Sequence, residues 1–189
     1  MNEPHTLYYR EIASPIGPLV LEADNGRLCG VEFGAAEANL PRMEAWADRW
    51  LGPHVWTPQP AGAPAVPEAA VLDAAAGQLA EYFRGERTRF EVPLVLHGTD
   101  FQKRVWLALC EVGYGRTASY KQIAEALGDA KAVRAVGGAN NRNPIAIIVP
   151  CHRVIGANGA LVGFGGGLDI KIKLLDLEAY GGSAAGGLF

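Results

Sequence analysis

The chain has 189 residues, 49% of them hydrophobic and 20% charged, which suits one generous globular domain or two small ones and excludes a disordered or fibrous protein. The formal net charge of −3 is unevenly divided: residues 1–90 hold 7 Lys/Arg against 12 Asp/Glu, and residues 91–189 hold 10 against 8, an excess too small by itself to argue for a polyanionic partner. The longest aliphatic run, Ile145 to Val149, is far too short to span a bilayer, and the opening MNEPHTLYYREIASP has no apolar signal core, so no membrane association and a cytoplasmic address are expected.

Residues 6–33 alternate apolar and polar positions around two turn signals, Ser14-Pro15-Ile16-Gly17-Pro18 and Asp24-Asn25-Gly26, which predicts a three-stranded antiparallel meander. Residues 52–68 contain five prolines and read as a semi-rigid loop. Leu72, Ala76, Leu79 and Phe83 then share one helical face, with Gly85 as the stop.

A capping-box spacing at Thr99 to Gln102 opens a helix expected to bury Phe101, Val105, Leu109 and Val112, with Cys110 in or beside that stripe. The same spacing recurs at Ser119 to Gln122, starting a short helix that ends at Gly128, and a second runs from about Lys131 to Asn140. Two short helices across a glycine-containing turn suggest a helix-turn-helix, an outline shared with many ordinary hairpins. Asn143-Pro144-IAIIV-Pro150 reads as a short buried strand or extended segment. Beyond the glycine-rich Gly163 to Gly167, a final helix from Leu168 to about Ala179 is expected to bury Leu168, Ile172 and Leu175, and residues 181–189 to form a flexible tail.

Three cysteines, Cys29, Cys110 and Cys151, are an odd number without CxxC spacing, and His5, His54 and His97 show no metal pattern, so neither a disulfide framework nor a metal site is expected. Cys151 follows Pro150 at the exit of the apolar run and precedes His152, a seat where an imidazole can draw off a thiol proton. In an extended chain neighbouring side chains diverge, so the two can cooperate only across a turn or through water, with a third group such as Glu178 orienting the ring. Spacing alone leaves a nucleophilic pair and a structural Cys beside a satisfied His equally open.

The run Asn143-Pro144-Ile145, then Ile148-Val149-Pro150-Cys151-His152-Arg153-Val154-Ile155-Gly156, Gly163-Phe164-Gly165-Gly166-Gly167-Leu168 and Leu174 to Glu178 resembles the signature of the O6-alkylguanine-DNA alkyltransferases. Ser119 to Ala124 and Arg134 to Ala139 resemble that family's helix-turn-helix, so the likeness runs from about Thr99 to Glu178. It implies an α+β protein: a ribonuclease H-like N-terminal domain (1–96) built on the small sheet and a helix, then a mainly helical alkyltransferase domain (97–180). It implies single-turnover transfer of an alkyl group from O6-alkylguanine in double-stranded DNA to Cys151, without a cofactor, by a monomer approaching the minor groove. Activity on O4-alkylthymine is left open.

Residue by residue, the resemblance makes Cys151 the acceptor, His152 the base acting through water, Glu178 its support, and Tyr120 the donor to the departing guanine. Asn143 would brace the reactive segment. Arg134 would fill the space of the extruded nucleotide, with Ala135 and Gly137 permitting close approach and Ser119 contacting the DNA. Val154 would read the base edge through its backbone, and Phe164 and Gly165 would wall the pocket. Many relatives carry Tyr at the position of Phe164 and a basic residue at that of Ile170; Lys171 and Lys173 keep charge nearby.

Overall fold

The computed structural model describes residues 4–181. The meander is present as β1 (His5–Ile12), β2 (Leu19–Asp24) and β3 (Arg27–Phe33). Asn25 and Gly26 both take positive φ, 48° and 69°, the pair of left-handed residues that a two-residue hairpin turn needs to match strand twist. After α1 (Ala36–Trp50) a fourth strand, β4 (His54–Pro58), pairs parallel to β1 and gives the order β3-β2-β1-β4. The expected loop of residues 52–68 is therefore shorter than its proline content suggests. Its first part is an edge strand, where proline is tolerated because no ladder bond is lost. Its end, Pro67, starts α2 (Pro67–Phe83), where the absent N–H would have no helical partner.

Every residue of β2 is buried, since helices α1 and α2 both pack against it and cover the two sides of the sheet. Leu72, Ala75 and Leu79 of α2 join Leu19, Leu21 and Val31 in the main core. Two of these buried residues are acids: Asp24, bonded to His5 and His97, and Glu22. Glu22 is 3% exposed, its Oε1 has no hydrogen-bond partner, and burial pushes its carboxyl up to about 8 against the pull of Arg42. An acid whose folded pKa is raised binds more protons folded than unfolded, so its ionisation erodes stability between about pH 4.5 and 8. Wild-type protein should lose about 1 kcal/mol per pH unit from this group across that window. Glu22→Gln should flatten this slope in denaturant melts at pH 5, 7 and 9, and an unchanged slope would mean the carboxyl is not the cause.

The C-terminal half contains α3 (Asp100–Cys110), the two-residue β5 (Ala118–Ser119), α4 (Tyr120–Ala126) and α5 (Val133–Asn141). A 3-10 turn (Cys151–Arg153), β6 (Val154–Ile155) and α6 (Leu168–Tyr180) complete it. Both capping boxes form, at Thr99 and at Ser119. Helices α4 and α5 pack together as a helix-turn-helix, and Trp106 of α3 donates its indole N–H to the Ala139 carbonyl at 2.9 Å.

The free edge of β3 joins the halves. Val31 N–H donates to the Pro144 carbonyl at 2.9 Å and Leu28 N–H to that of Pro93 at 2.8 Å, so the sheet edge grips both the stretch leading towards α3 and the segment before Cys151.

Three expectations need correction. Residues 143–150 are not a strand: beyond one bridge to Val31 the chain turns tightly around Ile147, whose φ is 70°, a value costly for a β-branched residue. Helix α6 presents a different face: Leu168 and Ile172 are 44% and 42% exposed, while Lys171, Leu174, Leu177 and Glu178 are buried. Cys110 is exposed rather than core-facing. The predicted flexible tail, apart from Gly181, lies outside the described residues.

Candidate active site

Asn143 sets the reactive segment. Its Nδ2 donates to the Val149 carbonyl at 2.7 Å and its Oδ1 accepts from Ile145 N–H at 3.0 Å, holding the tight turn closed immediately before Pro150 and Cys151. The 3-10 geometry at Cys151–Arg153 replaces the extended chain and turns successive side chains around an axis. Cys151 is 6% exposed and His152 fully buried. Burial raises the Cys151 thiol above its usual range, while the Asn143 amide and the Lys171 ammonium draw it down.

His152 Nε2 lies 2.6 Å from Glu178 Oε1. The carboxylate only accepts, so Nε2 carries the proton and Nδ1 is left as the acceptor. Nδ1 is buried and has no hydrogen-bond partner. Burial lowers the pKa of His152 in spite of Glu178, which keeps the ring neutral at pH 7 with the Nδ1 lone pair free to accept.

Glu178 is the hub. Oε1 also accepts from Tyr82 Oη at 2.8 Å and Arg153 Nη2 at 3.0 Å, and Oε2 accepts from Arg153 Nε at 2.8 Å and Gly115 N–H at 3.2 Å. Burial works to raise this carboxyl, but the bonds from His152 and Arg153 outweigh it and bring it to about 2. Arg153 and Tyr82 escaped the sequence reading; only the PCHRV context hinted at Arg153, and nothing local singled out Tyr82, 96 residues from its partner.

Lys171, read from the sequence as charge kept near Ile170, serves differently. Its ammonium is buried and donates to the carbonyls of Val154 at 2.6 Å and Val162 at 3.3 Å. It is a pillar of the pocket wall and too deep to contact a phosphate. Tyr120 donates to the same Val162 carbonyl at 3.3 Å, and its pKa is raised by burial and by the nearby Cys151. The Phe164 ring packs on Phe33 with centroids 5.5 Å apart, and Gly165 beside it lines the cavity at Cys151. The structure therefore sets two bonded groups side by side, Asn143 with the Cys151 turn and His152 with Glu178, and places Tyr120, Val154, Phe164 and Gly165 around them.

Arg134 and Ala135 stand apart, exposed in the first turn of α5. Arg134 has no hydrogen bond or ion pair among the described residues. Gly137 faces Tyr120, whose ring would lie 3.9 Å from an added Cβ. The Ser119 hydroxyl caps α4 by accepting from Gln122 N–H at 3.1 Å. Among the described residues no group of three or more His, Cys, Asp or Glu is arranged to hold a metal ion, and no helix is long and apolar enough to cross a membrane.

Two family models match: the ribonuclease-like domain of 6-O-methylguanine DNA methyltransferase over residues 7–96 and its DNA binding domain over residues 100–180. The methylated-DNA–protein-cysteine methyltransferase of Mycobacterium tuberculosis is 48% identical over 172 residues, covering 91% of this chain and 92% of the relative. That of Methanosarcina acetivorans is 46% identical over 172 residues, covering 91% and 98%. Among solved structures, Mycobacterium tuberculosis OGT in complex with DNA superposes with a TM-score of 0.74 at 46% identity, covering 91% of this chain and 92% of that one. The O6-methylguanine-DNA methyltransferase of Pyrococcus kodakaraensis gives 0.63 at 25% identity, covering 91% and 98%. With both halves matched and nearly half of its residues identical to such relatives, the chain belongs to the methylated-DNA–protein-cysteine methyltransferase family.

Proposed function

We propose that the chain repairs O6-alkylguanine in double-stranded DNA by moving the alkyl group onto Cys151. The observation that carries this reading is the buried His152–Glu178 pair next to Cys151, with Nδ1 of His152 unpartnered and free to accept a proton. The thiol proton passes to Nδ1 through a water, sulfur attacks the alkyl carbon, and the bond from that carbon to O6 breaks. The electron pair leaves with guanine, which takes a proton supplied at Tyr120 and departs neutral. Thiol and alkylguanine thus become thioether and guanine. The thioether has no leaving group, and the reaction runs once.

In this reading residues 97–180 bind and react while residues 1–96 support them. Helix α5 enters the minor groove with Ala135 and Gly137 closest to the backbone, and Ser119 flanks it. Arg134 takes the place of the extruded nucleotide, an event costing roughly a few kcal/mol that an inserted side chain offsets. Val154, Phe164 and Gly165 enclose the base. The protein acts as a monomer in the cytoplasm, in keeping with its three unbonded cysteines.

Incubation with a duplex carrying O6-methylguanine should add one methyl group per chain, found by peptide mapping on Cys151 alone. Repeated turnover, or label on the exposed Cys110, would point to different chemistry.

A further inference from the structure

Cys151 opens onto a chamber of about 50 Å³ whose lining includes Val31, Phe33, Ala146, Phe164 and Asn140. A water needs about 10–15 Å³ measured this way, so the chamber holds a few heavy atoms. Tyr120 and Val154 do not line it. The chamber shares Phe164 and Gly165 with the walls assigned to the base, so it adjoins that site at the sulfur and offers space to whatever the O6-substituent carries beyond its first carbon.

Its walls are mixed, with Glu32, Arg42, Asn140, Asn141 and Asn143 set among the apolar residues. Glu32 and Arg42, which also line it, are paired to each other. Asn140 is not satisfied: it is 2% exposed, and neither Oδ1 nor Nδ2 has a hydrogen-bond partner. A buried primary amide with both functions unmet is rare, because each forfeits its bonds to water without replacement. It sits at the C-terminal end of α5, where an aliphatic residue would continue the core stripe of Val136 and Ala139.

We propose that Asn140 is a specificity determinant that selects short O6-substituents bearing a hydrogen-bonding group on their second or third atom, of the hydroxyethyl kind, over purely aliphatic ones of equal size. The proposal rests on alkyl transfer to Cys151. The same bonds form and break, carbon to sulfur and carbon to O6, and the substituent's hydroxyl stays intact, donating to Oδ1 or accepting from Nδ2. A site whose buried polar group is satisfied only by the right substrate discriminates against the isostere that leaves it unpaired.

The test uses duplexes carrying O6-methyl-, O6-(2-hydroxyethyl)- or O6-n-propylguanine, the last two matched in heavy atoms, in single-turnover reactions at saturating DNA. Asn140→Leu keeps the number and branching of the side-chain heavy atoms and removes the amide. It should lower the hydroxyethyl-to-propyl rate ratio about tenfold, the size of one net hydrogen bond, and comparing ratios cancels the difference in intrinsic reactivity. A ratio unchanged in folded Asn140→Leu overturns the proposal. Should that variant fail to fold, Asn140→Ser, which retains a smaller hydrogen-bonding group, must give an intermediate ratio, and a wild-type ratio there overturns it equally. Failure of wild-type protein to transfer methyl would instead bring down the parent reading.

Discussion

Glu178→Gln is expected to lower the single-turnover alkylation rate by at least about 100-fold, the usual scale of a lost general base, and to destabilise the protein by about 3–5 kcal/mol. All five groups bonded to this carboxylate are donors. A glutamine can accept through one terminus only. Its NH2 must confront either Arg153 Nε and Gly115 N–H or the set at Oε1, and a buried guanidinium loses its counter-charge in both orientations. If the NH2 faces His152, the ring is driven to the other tautomer, which places the proton on Nδ1 and abolishes the free acceptor. The rate loss should appear equally with free O6-benzylguanine and with duplex DNA, because neither proton transfer nor ring orientation depends on phosphate contacts. Tyr82→Phe is the control. It removes one of the five donors and leaves the His152–Glu178 bond in place, so it should cost about 1 kcal/mol of stability with little change in rate. A folded Glu178→Gln that reacts at the wild-type rate would remove Glu178 from the relay.

The same network sets the acid limit. Glu178 has its folded pKa depressed to about 2 from 4.5, so its contribution is complete above about pH 4.5 and is lost as pH falls towards 2. His152 is also depressed, by burial; the unfolded chain binds its proton more readily, and stability drains as pH falls below 6.5. Both groups steepen the acid limb, and Glu22 opposes them between about pH 4.5 and 8, where its ionisation lowers stability as pH rises.

What could be read from the sequence was local. Turn residues, capping boxes and the PCHRV run declare themselves within four to ten residues, and the meander, α3 and α4 follow from them, whereas the turn around Ile147 reads in the sequence as an extended segment. Helix α1 is hidden in the sequence by Pro41 inside it, although Leu40, Met43, Ala47 and Trp50 share one helical face. In α6 two faces compete. Leu168, Ile172 and Leu175 are as well spaced as Lys171, Leu174 and Glu178, and apolarity favours the wrong set. The buried face is chosen by tertiary partners, Val154 and Val162 carbonyls for Lys171 and the Tyr82–Arg153 donors for Glu178. Such partners lie up to 96 residues away. The unmet amide of Asn140 has the same character: in sequence it is one of several asparagines near a helix end, and only packing makes it anomalous.

Arg134→Ala should react at least about 100-fold more slowly than wild type with O6-methylguanine in duplex DNA, since a few kcal/mol of lost compensation for unstacking translates into a factor of that order. With free O6-benzylguanine it should react at nearly the wild-type rate, because no nucleotide has to be extruded. The structure supplies the precondition: Arg134 is exposed at the start of α5 and engages no other described residue, whereas Arg153 is committed to Glu178 and Arg104 to the Leu127 carbonyl. A phosphate contact predicts something different. Its loss weakens duplex binding about uniformly and lowers the salt slope by about one, and saturating DNA restores the rate. An arginine that only solvates a helix face predicts no change with either substrate. Single-turnover rates at saturating duplex, set beside rates with the free base, separate the three, and a wild-type duplex rate there would end the extrusion role of Arg134.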